Sequence, residues 1–201
     1  VSRGYKKNIS GNAYMLPEDN TTKHSPASFG DEPFMLFKIL KNVPVFVGDK
    51  LRSLLKMQNV FNGRVALVDD GYQTHKLFKN INVLLLDCSL DFSLYKPLPL
   101  GLLREPIKEI KKADVVVLTK TNLTSSNNLT LLKKYFNNFI NSKKHLVFSS
   151  EYLFSVLHYS EREFKKVDCN SFNFKGTRMV SVCGIANPGS FKKALSSLSF
   201  C

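Results

Sequence analysis

The stretch RVALVDDGYQTHK, residues 64 to 76, begins with a run of apolar strand-forming residues and continues with two adjacent carboxylates, a glycine and polar side chains. A continuous apolar run of this length is typical of a strand that is covered on both faces in a parallel sheet. Ligands of such sheets bind at the carboxyl ends of the strands. Asp69 and Asp70 are therefore either turn formers at a strand end or members of a phosphate and metal site, and both interpretations are open at this point.

Apolar runs alternate with helical stretches along the rest of the chain. The other predicted strands are VPVFVG (43–48), INVLLLDC (81–88), ADVVVLTK (113–120), HLVFSS (145–150) and RMVSVCGI (178–185). The predicted helices are DEPFMLFKILKN (31–42), DKLRSLLKMQN (49–59), LREPIKEIKK (103–112), SSNNLTLLKKYFNNFINSKK (125–144) and NPGSFKKALSSLS (187–199),. Residues 17–30 predict a surface loop. This alternation predicts an α/β fold with a mostly parallel sheet flanked by helices.

Size and composition favour one folded domain. The chain has 201 residues, of which 43% are hydrophobic, so we expect residues 1–201 to form a single α/β domain around one core,. No apolar run approaches the ~20 residues that cross a bilayer, and no secretion signal begins the sequence. The four cysteines are widely spaced, which predicts reduced thiols in a cytoplasmic protein rather than a zinc site or a disulfide framework,.

The net charge of +13 favours an anionic partner such as nucleic acid, phospholipid headgroups or a phosphorylated substrate,. The basic residues are scattered in small groups and form no long basic arm. Charge alone therefore does not choose among these partners, and a solvated lysine-rich surface explains it equally well.

Three short segments contain residue types suited to phosphoryl transfer. An aspartate directly after a buried strand, as at Asp69, is the pattern of a Walker-B carboxylate that holds Mg²⁺. Asp31 and Glu32 begin a predicted helix, where they either stabilise the helix dipole or lie close enough to a phosphate to accept a proton. Arg104 and Glu105, in LPLGLLREP (98–106), form either a forked contact to phosphate or an exposed ion pair in a rigid loop,.

Taken together, the motifs resemble those of the tetraacyldisaccharide 4'-kinases, the lipid A 4'-kinases of Gram-negative bacteria. In chain order they are SRGY (2–5), GDEP (30–33), DDGYQ (69–73), LPLGLLREP (98–106) with KKADVVVLTK (111–120), and CGIANPGSF (183–191). The resemblance implies a P-loop-type kinase fold, ATP and Mg²⁺. It also implies transfer of the γ-phosphoryl group to the 4'-hydroxyl of a tetraacyldisaccharide 1-phosphate at the cytoplasmic face of the inner membrane. We expect a monomer, and the positive charge would hold it at this anionic membrane surface.

The resemblance also assigns roles to individual residues. Asp31 matches the family's general base and Glu32 a carboxylate near the metal, while Asp69 and Asp70 match the Walker-B pair. Within that pair we expect Asp69 to bind the metal and Asp70 to be catalytic. The positions matched to nucleotide or substrate binding are Arg3, Gly4, Gln73, His75, Arg104 and Glu105. The family pattern has histidine directly after the glutamine, whereas this chain has Thr74 there and His75 one residue later, so His75 either reaches the same partner from a shifted position or has lost that role.

Two motifs of the family are absent from the sequence. No GxxxxGK[ST] segment occurs in these 201 residues, and the histidine motif expected beyond GIANP is also missing,. We therefore interpret the chain as an interior segment of a kinase, with an incomplete P-loop NTPase-like core that is truncated at both ends. Without a phosphate cradle, we expect the segment alone to be inactive.

Two other functions remain open from the sequence. A non-catalytic remnant that binds nucleotide or lipid is compatible with the missing loop. A basic nucleic-acid-binding domain is compatible with the charge, but the chain has no RNP, KH or helix-turn-helix signature, and we expect no nucleic-acid partner.

Overall fold

The structure is a computed structural model of the whole chain. It describes residues 1–2, 11–18, 24–61, 63, 65–153, 156–160, 163–167, 180–185 and 187–197. The chain divides into two compact units, Val1–Lys79 and Asn80–Cys201, each described here by itself. That residues 1–201 form one domain stays a prediction.

The first unit is built on a two-stranded antiparallel sheet. Its elements are β1 (Ala13–Met15), α1 (Pro26–Phe29), α2 (Asp31–Ile39), β2 (Val45–Val47) and α3 (Lys50–Val60). In the register of the sheet, Tyr14 pairs with Phe46. A cluster of buried apolar side chains holds the helices on this sheet, and its members are Met15, Phe29, Phe37, Val45 and Val47.

The helices of the first unit begin where the sequence predicts. Glu32 and Asp31 lie in the first turn of α2, and Pro33 follows them in a position where its missing N–H costs no helical hydrogen bond,. Asp49 caps α3, because its side chain accepts a hydrogen bond from the main-chain nitrogen of Arg52,. Helix α1, in contrast, lies inside residues 17–30, which the sequence predicted as loop, and Ser25 caps it.

The predicted strand RVALV is wrong for residues 65–68, which have no regular secondary structure. Val65 and Leu67 are 79% and 82% exposed, so no layer covers this run. The run makes two main-chain hydrogen bonds with Val1. The nitrogen of Val1 donates to the oxygen of Leu67, and the oxygen of Val1 accepts from the nitrogen of Asp69. The apolar composition was compatible with a buried strand, but a strand also needs a partner along its length.

The second unit contains the parallel sheet that the sequence predicts. Its strands are β3 (Val83–Asp87), β4 (Val115–Thr119) and β5 (Leu146–Ser149), in the order β3-β4-β5. Helix α4 (Ser126–Asn137) connects β4 to β5, as in a parallel crossover,. The remaining elements are an antiparallel hairpin of β6 (Val156–Ser160) and β7 (Glu163–Val167), the helix α5 (Pro188–Ser197) and 3₁₀ turns at Phe92–Leu94, Ile107–Lys112 and Thr121–Leu123.

One face of this parallel sheet is covered and the other is exposed. On the covered side, Val116 of β4 and the α4 residues Leu132 and Phe136 are fully buried. On the other side, Leu85 of β3 and Phe148 of β5 both pair with Val117 of β4. The side chains of Leu85 and Phe148 are 63% and 55% exposed. The expectation that both faces are covered is therefore wrong for the described residues, although the α/β fold with a parallel sheet is confirmed.

Two further predicted elements differ from the structure, one near the end of the chain and one before β4. Residues 180–185 of the predicted strand RMVSVCGI have no regular structure, and Val180 and Val182 are almost fully exposed. The stretch 103–112 forms a 3₁₀ helix over Ile107–Lys112 rather than an α-helix. No helix in the described part of the chain has the length and apolar character needed to cross a bilayer.

Candidate functional site

The acidic turn Asp69-Asp70 presents both carboxylates to solvent. Asp69 is fixed through its backbone by the hydrogen bond to Val1, and its Oδ2 accepts from Ser2 Oγ at 3.3 Å. Asp70 has a left-handed backbone with φ of 49°. The carboxylate of Asp70 accepts no hydrogen bond within the described part of the chain, so it is available to a ligand.

Gly71 lets the chain turn directly after the two aspartates. It is buried, and a Cβ built on it would lie 3.0 Å from the oxygen of Val68. A side chain at this position would require Val68 to shift by a few tenths of an ångström. The glycine that the sequence singled out in DDGYQ therefore has a steric reason.

Two lysine side chains donate hydrogen bonds to main-chain oxygens of this turn. Lys50 Nζ donates to the main-chain oxygen of Asp70 at 2.5 Å. Lys79 Nζ donates to the oxygens of Gly71, Tyr72 and Thr74 at 3.1, 3.0 and 3.1 Å. Sequence reasoning missed both lysines, because neither belongs to a motif.

A weak signal was present for Lys50 alone. It is the first residue of α3 and is buried, with 5% of its surface exposed. A cation at the positive end of a helix dipole is unfavourable and needs another explanation. The contact to Asp70 supplies one, whereas the partners of Lys79 could be found only from the folded loop.

Gln73 and His75 follow on the same turn and are exposed. The nitrogen of His75 donates to the oxygen of Gln73 at 3.1 Å, and the nitrogen of Thr74 donates to the oxygen of Gly71 at 3.0 Å. These bonds tighten the loop, so that Gln73 and His75 belong to the same short, hydrogen-bonded turn as the aspartates.

Asp31 and Glu32 are both exposed at the start of α2. Residues 40–44 join α2 to β2, and Phe37 of the helix packs in the same cluster as Val45 of the strand. Directly after β2, the nitrogen of Gly48 donates to the oxygen of Ser2, whose hydroxyl in turn donates to Asp69 Oδ2.

The remaining predicted residues belong to the second unit or fall outside the described residues. Arg104 is exposed and Glu105 is half-buried, and both belong to the second unit. They follow a tight loop in which a Cβ on Gly101 would come within 2.4 Å of the oxygen of Lys96. Arg3 and Gly4 lie outside the described residues.

Asp87 of the second unit is a strongly paired carboxylate. Asp87, at the end of β3, accepts from Lys120 Nζ at 2.5 Å and from Ser89 Oγ at 2.6 Å. Burial works to raise the pKa of Asp87, but the hydrogen bonds from Lys120 and Ser89 outweigh it and hold that pKa below its ordinary value. The Tyr95 hydroxyl donates to the main-chain oxygen of Asp87, and burial raises the pKa of this hydroxyl. These contacts bind Asp87 into the structure, unlike Asp70.

A divalent metal has a limited set of protein ligands in the described residues. No group of three or more His, Cys, Asp or Glu side chains there could hold a metal ion by itself. Mg²⁺ is usually bound by one or two carboxylates, with water and substrate phosphates completing the shell. Asp69 and Glu32, the two carboxylates that the resemblance matches to the metal, are both exposed and are of the ligand type that this mode of binding uses.

Comparisons with known proteins give a consistent result. The sequence model of the tetraacyldisaccharide-1-P 4'-kinase family matches residues 1–200. The tetraacyldisaccharide 4'-kinase of Geobacter metallireducens is 36% identical over 60% of this chain and 36% of its own length. Those of Halothermothrix orenii and Bdellovibrio bacteriovorus are 27% and 29% identical over 97% and 98% of this chain.

The latter two alignments cover 52% and 56% of the relatives, so the chain spans about half the length of these curated relatives. No solved structure matches the chain significantly.

Proposed function

Because this chain belongs to the tetraacyldisaccharide-1-P 4'-kinase family, we propose that it supplies part of the active site of an ATP-dependent kinase of lipid A biosynthesis. The reaction transfers the γ-phosphoryl group of ATP to the 4'-hydroxyl of a tetraacyldisaccharide 1-phosphate and releases ADP. The observation that supports it best is the turn at Asp69 and Asp70, two exposed carboxylates whose backbone is fixed by Val1 and Lys50.

The carboxylates divide the chemistry between them. Asp69 and Glu32 would hold Mg²⁺, which when bound would neutralise charge on the nucleotide phosphates. Asp70 is a catalytic carboxylate beside them. Asp31 accepts the proton of the attacking 4'-hydroxyl, a role that requires an exposed carboxylate within hydrogen-bonding reach of the acceptor. The free surface of Asp31 at the start of α2 is compatible with that role.

The other positions bind rather than react. Gln73 and His75 are proposed to contact the nucleotide or the sugar from the same turn as the aspartates. Arg104 is suited to a forked contact with phosphate, which Glu105 would orient. Family resemblance assigns Arg3 and Gly4 to nucleotide or substrate binding as well.

The basic charge is proposed to hold the protein at the anionic inner face of the cytoplasmic membrane, where the acylated acceptor resides. Each basic residue near such a surface contributes about 1 kcal/mol of attraction. In α2, the exposed side chains of Met35 and Ile39 share one helical face with Lys38, a combination suited to a lipid interface,.

The test uses the natural protein that contains this chain, with ATP, Mg²⁺ and tetraacyldisaccharide 1-phosphate. The expected product carries a phosphate at the 4' position, identified by mass spectrometry. Nucleotide binding without any product would support a non-catalytic remnant and contradict the proposal. Salt-sensitive binding to random DNA, again without product, would favour a nucleic-acid-binding function instead.

A further inference from the structure

The loop that follows the acidic turn directs its main-chain oxygens at a single ammonium group. Lys79 Nζ lies 3.1 Å from the oxygen of Gly71, 3.0 Å from that of Tyr72 and 3.1 Å from that of Thr74. A lysine ammonium has three N–H donors and no acceptor. All three donors of Lys79 are therefore used, and each is used on this one loop.

The three oxygens belong to a segment without regular secondary structure. Residues 71–74 form neither a helix nor a strand, and beside Lys79 the oxygens of Gly71 and Thr74 each accept one main-chain hydrogen bond, from the nitrogens of Thr74 and Leu77. Converging carbonyl dipoles repel one another unless a cation lies between them. Lys79 provides that cation, and its side chain is half-buried, which strengthens the attraction relative to bulk water,.

The arrangement has the form of a monovalent-cation site. Rings of backbone carbonyl oxygens bind K⁺ by replacing its hydration shell. In this loop a covalently attached ammonium takes the place of the free ion. Lys50 extends the pattern by one residue, because it donates to the oxygen of Asp70.

We propose that Lys79 is a built-in monovalent cation that organises the loop of residues 70–75, and that the same three carbonyl oxygens bind a free primary ammonium or K⁺ when the lysine side chain is removed. Lys79 acts as a positioning residue: it binds the main-chain oxygens of three residues that are chain neighbours of Asp70 and Gln73, whose own side chains are exposed. The kinetic part of this inference rests on the proposed kinase function, whereas the cation binding does not.

The experiment uses the natural protein that contains this chain, with Lys79→Ala as the main variant. Ethylammonium chloride is compared with tetramethylammonium chloride at equal concentration, because the second cation has the same charge but no N–H donor. Lys79→Met fills the space with an apolar chain and serves as a variant that cannot be rescued. Lys76→Ala is the matched control, since Lys76 is an exposed lysine of the same loop.

Amide hydrogen exchange of residues 70–75 is the first readout, because it requires no enzymatic activity. Lys79→Ala is expected to exchange at least tenfold faster than the parent protein, and ethylammonium, but not tetramethylammonium, is expected to restore protection. Lys76→Ala should behave as the parent. Equal effects of the two cations, or exchange in Lys79→Ala that matches Lys76→Ala, would overturn the proposal.

The turnover number with Mg-ATP is the second readout. A displaced loop should reduce kcat by ~10- to 100-fold in Lys79→Ala, with recovery in ethylammonium. Normal turnover without any cation effect on exchange would refute the cation role and leave the kinase function standing. Cation-dependent exchange in a protein without kinase activity would support the cation role and contradict the proposed kinase function. If Lys79→Ala does not fold, refolding in the two salts replaces the first readout: recovery in ethylammonium alone supports the proposal, and failure in both contradicts it.

Discussion

Lys50 and Asp70 are joined by a hydrogen bond of 2.5 Å from Lys50 Nζ to the main-chain oxygen of Asp70, although the two residues are 20 positions apart. Lys50 begins α3, where the helix dipole disfavours a cation, and it is nevertheless buried,. The contact links the start of this helix to a left-handed residue of the acidic turn. It makes the conformation of the proposed metal-binding turn dependent on a side chain from another element.

Lys50→Met is expected to lower the free energy of unfolding by about 1–3 kcal/mol, since it leaves the oxygen of Asp70 without this donor. The variant also removes the repulsion between the Lys50 ammonium and the helix dipole, which reduces that loss by about 0.3–1 kcal/mol. Urea denaturation of the natural protein measures the difference. Lys41→Met, at an exposed lysine after α2, is the control, and equal stability of the two variants would show that the Lys50 contact contributes nothing.

Lys120→Met is expected to destabilise the second unit in a pH-dependent way. At neutral pH it leaves the partly buried carboxylate of Asp87 without its cation, at a cost of about 1–3 kcal/mol, below the ~3–5 kcal/mol of fully buried pairs,. The lowered pKa of Asp87 makes its contribution present above the ordinary value of 3.8 and lost as the pH falls through the folded-state pKa,. Denaturation curves of parent and variant should therefore converge in acid, and a pH-independent difference would contradict this assignment. Asp87→Asn combined with Lys120→Met gives the coupling energy between the two.

Cys88 and Cys183 are expected to differ strongly in reactivity. Cys88 is fully buried, and burial raises its pKa to about 11, whereas Cys183 is exposed. Iodoacetamide at mildly alkaline pH should label Cys183 in the folded protein and spare Cys88, with both labelled after denaturation; peptide mass spectrometry measures this. The raised pKa also means that the contribution of Cys88 to stability is complete below 9.0 and is lost as the pH rises toward 11,. Equal labelling of the two thiols in the native protein would refute the burial of Cys88.

Binding to anionic vesicles is expected to depend on the exposed face of α2. Replacing Lys38 and Lys41 by Glu should weaken cosedimentation at low salt more than the same replacement at Lys108 and Lys143, which changes the net charge by the same amount. All four lysines are exposed. Equal losses in the two double variants would indicate attraction by net charge alone, without a preferred face.

Local sequence signals predicted the capped helices and the strands with continuous apolar runs. The cap at Asp49, the polar start of α4 at Ser125 and the apolar strands β3 and β4 are all present. The cap residues satisfy their own helix, and the apolar runs of β3 and β4 identify them as strands although paired residues such as Leu85 and Val117 are far apart in the chain. In these elements the local pattern and the tertiary environment agree.

Long-range partners account for what the sequence could not predict. Strand β1 is only three residues long and is a strand because it pairs with β2. Residues 65–68 have the composition of a buried strand but are exposed, since composition does not specify a neighbour. In the candidate site, motif resemblance selected Asp69 and Asp70, whereas Lys50 and Lys79 contact main-chain oxygens, which every residue possesses and no side-chain motif records.

The rate of phosphoryl transfer in Asp69→Asn tests the central claim most directly. The natural protein that contains this chain is assayed with saturating ATP, Mg²⁺ and tetraacyldisaccharide 1-phosphate, beside Glu18→Gln, an exposed carboxylate in a turn outside the site. Because Asn keeps the shape of Asp69 without its charge, kcat is expected to fall by ~10²- to 10³-fold while the unfolding midpoint is unchanged. A kcat in Asp69→Asn equal to that in Glu18→Gln would contradict the assignment of the acidic turn as the metal and phosphate site.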